Sequence, residues 1–129
     1  MDDSDYAKGM AVRRKALGDA YVDRATESAN DFDRDFQQLI TKYAWGGVWA
    51  RPGFSAASRS IVTIAILASL GREDELRLHL RATRNTGASR DEIREALMHV
   101  AIYAGVPAAN TAFKIAKSVF AEMDSEPAR

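Results

Sequence analysis

Arg72, Glu75 and His79 stand at i, i+3 and i+7 in the stretch REDELRLH, a spacing that puts a cation, a carboxylate and an imidazole on one helix face. A carboxylate four residues before a histidine can orient the ring and raise its pKa, a common preparation for a general acid. The same spacing also describes a solvated charged face, where such a pair contributes about a few tenths of a kcal/mol. The second histidine, His99, lies in EALMHVAIY among apolar residues and reads first as a packed or interface side chain. Arg51 and Arg59 carry guanidinium forks that match a carboxylate, with helix capping or a surface ion pair as the plain alternative. Both tryptophans, Trp45 and Trp49, flank Gly46 and Gly47 in KYAWGGVWARPGF. With Pro52 and Gly53 following, that stretch reads as a glycine-loosened loop. Its tryptophans form either a hydrophobic plug or one wall of a pocket.

Composition narrows the chemistry. The chain has 129 residues, enough for one core, with 47% hydrophobic and 28% charged residues. Lys+Arg and Asp+Glu are 18 each, so no global charge points to nucleic acid or to an anionic membrane as a partner. Cysteine is absent, which rules out disulfides and thiolate nucleophiles. Two distant histidines make a structural zinc site a poor fit, and no metal is expected. No Gly-rich phosphate loop and no Ser-based nucleophile motif is present. The acidic MDDSDYAKGM start lacks the apolar run of a secretory signal. The run IVTIAILASL is about half the length needed to span a bilayer. The expected location is the cytoplasm.

The elements that must position these residues read as helices throughout. The pattern predicts an all-α, single-domain bundle of six to seven helices over residues 1–129, with its core at 5–123 and 124–129 frayed. Gly18 is a stop and Asp19 a start. Phe32, Phe36, Leu39, Ile40 and Tyr43 form one apolar stripe. SAASRSIVTIAILASLG, apolar almost all round, is expected to be the central buried helix. The helix beginning at Arg72 starts acidic, ends basic and stops at Gly87. Ser89 and Glu92 have capping-box spacing, and Pro107 opens the last helix.

Three stretches carry a resemblance: GMAVRRKALGDAYVDR, FQQLITKYAWGGVWARPGFSAASRSIVTIA and ELRLHLRATRNTGASRDEIREALMHVAIYAGVPAANTAF. Together they resemble the carboxymuconolactone decarboxylase family, within the alkylhydroperoxidase-like superfamily. The redox branch of that superfamily carries Cys-x-x-Cys-x-x-x-His. Set on His79, Arg72 and Glu75 occupy the cysteine positions here, and Ser60 falls near an upstream glutamate of that branch. The resemblance implies a helical fold that assembles as a homo-oligomer, typically a hexamer. It implies cofactor-independent decarboxylation of a small lactone dicarboxylate, 4-carboxymuconolactone, to an enol-lactone in protocatechuate catabolism. Under it, His79 as imidazolium, tuned by Glu75, donates the proton. Arg51, Arg59 or Arg72 holds the carboxylates, Arg81 is next in line, and Trp45 and Trp49 supply an apolar wall. A non-catalytic oligomer that binds a small organic acid or a partner is the competing expectation, and a lyase of the same fold for another lactone is a third.

Overall fold

A computed structural model describes residues 3–127. Seven α-helices and one π-helical segment follow one another, with no β-strand among the described residues. Contacts group the chain into two compact units, residues 1–56 and 57–129.

The first unit contains α1 (Asp3–Leu17), α2 (Asp19–Ser28), α3 (Arg34–Ile40) and a π-helical segment (Thr41–Trp49). Gly18, at φ 91°, ends α1 where the sequence predicts a stop. Arg14 then bridges to Asp19 at 3.1 Å and to Asp23 at 2.9 Å, fixing the corner between α1 and α2. The π-helical segment packs on α1. At their crossing, a Cβ on Gly9 would overlap the Thr41 carbonyl oxygen, and one on Gly46 would lie 2.6 Å from the Asp5 carbonyl oxygen. Two main chains therefore touch where side chains would normally keep helices 8–10 Å apart. This corrects the expectation of a loop at the Gly-Gly pair. Gly46 answers a demand for close approach rather than for a turn, and the helix continues through Trp49 before the irregular stretch at residues 50–55. Most of the predicted apolar stripe is exposed: Phe32, in the turn before α3, is 97% exposed, Phe36, Leu39 and Tyr43 are also exposed, and Ile40 is half-buried.

The second unit contains α4 (Ala56–Leu70), α5 (Glu73–Thr86), α6 (Arg90–Tyr103) and α7 (Val106–Ser125). Its core is a cluster that includes Ile64, Leu76, Leu80, Ile93, Leu97, Ile115 and Val119. Helix α4 is not buried all round as its composition suggested. Only the stripe Ser60, Ile64 and Ala68 is buried, while Val62, Ile66 and Leu70 are exposed. The punctuation follows the sequence. Gly87 caps α5 in the left-handed region at φ 87°, Ser89 and Glu92 form a reciprocal capping box, and Pro107 sits in the first turn of α7. Within the stretch 124–129, expected to fray, residues 124 and 126 make ion pairs. There Asp124 meets Arg90 at 2.7 Å, and Glu126 meets Arg81 and Arg84, both at 2.7 Å. Residues 128–129 lie outside the described residues.

Candidate active site

In the second unit, Glu75 and His79 stand one turn apart on α5, the first exposed and the second half-buried with its Nδ1 out of solvent. Burial pushes the imidazole pKa down, the Glu75 charge opposes it, and the balance falls at about 4. This reverses the direction that the spacing suggested. Desolvation outweighs one exposed carboxylate, so His79 is a neutral imidazole at pH 7 in the free chain. A stability consequence follows from the sign. An unfolded chain binds this proton near pH 6.5 and the folded one only near 4, so the unfolded state is favoured as pH falls through that interval. The loss amounts to about 3 kcal/mol by pH 4. Urea titrations between pH 7 and 4 should show it, and His79→Gln should flatten the slope. An unchanged slope in that variant would assign the acid sensitivity to other groups.

Further along α5, Thr86 and Ser60 of α4 share a buried hydroxyl hydrogen bond of 2.6 Å. Thr83 donates to the Leu80 carbonyl at 2.6 Å. Ser60 is thus held in a buried hydroxyl pair. The sequence gives one hint of it, two small polar residues on otherwise apolar helix faces. Arg59 lies half-buried in the first turn of α4. Arg72 occupies the N-cap position of α5 at φ −89°, ψ 82°, outside the helical face it was predicted to share with Glu75 and His79. With Glu73, Asp74 and Glu75 it borders an open depression of about 460 Å³. Arg72 and Glu73 also edge a cavity of about 260 Å³ walled by Leu67, Leu76, Ala108 and Ile115. Arg81 is engaged by Glu122 at 3.0 Å and Glu126 at 2.7 Å.

In the first unit, Trp45 is buried and Trp49 partly so, their ring centroids 4.8 Å apart and tilted by 36°. Arg51 is exposed in the turn that follows. His99, on α6, is exposed and stacks on Tyr103 at 6.2 Å, one turn away, as a surface pair. Among the described residues, no group of three His, Asp or Glu side chains is placed to hold a metal ion. No described helix is long and apolar enough to cross a membrane.

An imidazole drawn below its ordinary pKa and a carboxylate one turn before it thus stand on a cysteine-free helical scaffold. The chain matches the profile of the Carboxymuconolactone decarboxylase family over residues 34–118, and it belongs to that family. It is 48% identical over 126 residues to the 4-carboxymuconolactone decarboxylase of Acinetobacter baylyi, a match covering 98% of this chain and 94% of that protein. A nitrosuccinic acid decarboxylase of Metarhizium robertsii is 38% identical over 92% of this chain and 82% of its own. A 4-carboxymuconolactone decarboxylase of Pseudomonas putida is 56% identical over 41 residues, which are 32% of this chain and 85% of that sequence.

Proposed function

We propose that the chain is a carboxy-lyase that converts 4-carboxymuconolactone to the β-ketoadipate enol-lactone in aromatic catabolism. The near full-length relation to the Acinetobacter baylyi enzyme carries this reading. The substrate supplies its own electron sink. When the ring carbon loses CO2, the electron pair of the broken bond enters the ring double bond and reaches the lactone carbonyl as a dienolate. Protonation at the carbon next to that carbonyl gives the enol-lactone. The protein must therefore bind a dianion, leave the departing carboxylate poorly hydrated, and deliver one proton. These steps proceed without a cofactor.

His79 is assigned as the proton donor and Glu75 as its charge partner. Because the free imidazole is neutral at pH 7, the proton arrives with the substrate: the dianion's negative charge raises the imidazole pKa in the complex. Arg51, Arg59 and Arg72 are assigned to the carboxylates, and Trp45 and Trp49 to the apolar wall. Loss of lactone absorbance tests the reading directly. Arg51→Ala and Arg59→Ala should each raise KM about tenfold or more, the scale of one charge-assisted hydrogen bond. Unchanged KM in both would leave Arg72 as the anion holder.

The nitrosuccinic acid decarboxylase supports a second reading, a related lyase for another acid whose carbanion is stabilised by a neighbouring acceptor group. A substrate panel separates the two. The family match crosses the boundary between the two units, which supports treating the chain as one domain. Exposed Phe32, Phe36, Val62, Ile66, Ile102 and Tyr103 support a homo-oligomer, with a hexamer as the expected state. A monomeric mass in solution would refute that. The chain is read as cytoplasmic, with no nucleic-acid or membrane partner.

A further inference from the structure

The first unit holds a buried charge for which no ion pair is found among the described residues. Arg13, on α1, is 4% exposed. Its Nη1 donates to Thr41 Oγ1 at 3.0 Å and its Nη2 to Gln37 Oε1 at 3.1 Å, both neutral acceptors. A guanidinium offers five N–H donors. Nε is buried and has no acceptor among the described residues. Asp19, Asp23 and Asp31, the carboxylates that form ion pairs in this unit, are taken by Arg14 and Arg34. Leaving a cation buried without an anion is strongly unfavourable. Burial accordingly draws the Arg13 pKa below its ordinary value, with the nearby Tyr21 and Tyr6 opposing.

A cavity of about 170 Å³ adjoins this group, bounded by Arg13, Gln37 and Thr41 together with Met10, Ala29 and Gln38. Arg34, the other cation in its wall, already faces Asp31 at 2.7 Å. One positive charge is therefore left to neutralise, and a dianion would bring a second negative charge with no partner. Met10 and Ala29 give the cavity an apolar side beside its amides and guanidinium.

We propose that this cavity binds a small monocarboxylate, its oxygens received by the remaining Nη N–H donors of Arg13 and its short carbon chain by Met10 and Ala29. This ligand differs in charge from the dianionic lactone proposed as substrate, so the inference stands independently of that reading. Arg13 is bonded to Thr41, the first residue of the π-helical segment, and to Gln37, four residues before it. Occupancy therefore neutralises the group that ties α1 to the segment bearing Trp45 and Trp49, and it should stiffen that segment.

The test uses the full chain with propionate as probe, and sodium chloride at matched ionic strength and inorganic phosphate as comparison anions. Propionate should bind with a dissociation constant in the low-millimolar range, about what a five-atom ligand can reach. At tenfold excess over that constant it should raise Tm by about 4 °C and shift the Arg13 Nε–H cross-peak in a ¹H–¹⁵N spectrum. Arg13→Met should abolish both responses. If that variant does not fold, Ala29→Leu decides, since it fills the cavity and keeps the guanidinium; it should fold and lose the response. An equal rise with chloride, a larger one with phosphate, no response to propionate, or an undiminished response in Ala29→Leu would each overturn the proposal.

Discussion

Replacing His79 with glutamine should lower kcat by about 10²–10⁴-fold, the usual contribution of a positioned general acid. Far-UV circular dichroism should be unchanged, because glutamine retains polarity and approximate volume on a helix that is stopped at Gly87 and packed through Leu76 and Leu80. The sharper part of the expectation concerns protons. With the free imidazole pKa at about 4, substrate can be protonated by His79 at pH 7 only if binding loads the ring. Calorimetric titration with a non-reactive dicarboxylate analogue, repeated in buffers of different ionisation enthalpy, should therefore show uptake of about one proton per site. The His79→Gln variant should show none. The kcat profile should also fall at high pH through a pKa well above 4, since kcat reports the complex and kcat/KM the free enzyme. Zero proton uptake by the wild-type protein, or near wild-type turnover by the variant, would remove His79 from the role of acid.

Gly9→Ala should destabilise the first unit by about 3 kcal/mol or more, because the added methyl group meets the backbone at Thr41 and no side chain can rotate away. Gly46→Ala should act in the same direction, against the Asp5 carbonyl oxygen. The adjacent Gly47 is the control. A Cβ there would lie 3.9 Å from the Lys42 carbonyl oxygen, an ordinary contact, so Gly47→Ala should be neutral or stabilise by up to about 1 kcal/mol through helix propensity. Urea midpoints read by tryptophan fluorescence report on the right place, since Trp45 is buried beside Gly46. Equal effects at Gly46 and Gly47 would show that backbone freedom, and not close approach, sets the requirement.

Local rules made most helix ends legible, since a cap or a stop is written within a few residues of where it acts. Ser89 with Glu92, Gly87 and Pro107 are of this kind. The π-helical segment was not legible, because what Gly46 satisfies comes from Gly9 and Asp5, far away in the chain. Seen alone, a Gly-Gly pair signals a break. The same distinction holds at the candidate site. Spacing placed Glu75 and His79 correctly on one helix, but the sign of the imidazole shift depends on how deeply the ring is buried, which no pairwise spacing encodes. Arg72 shows the limit of counting by threes and fours, which holds only inside a helix and not at its N-cap. Composition made α4 look buried all round, whereas one stripe sufficed for the core of its unit.

The crossing at Gly9 and Gly46 also bears on the order in which the chain is made. Helix α1 precedes residues 41–49 in the chain, so its glycine surface is already made when they emerge. The tryptophan-bearing segment can then wind against a surface that fits it. A circular permutation that moved α1 to the far end would produce that segment with nothing to wind against.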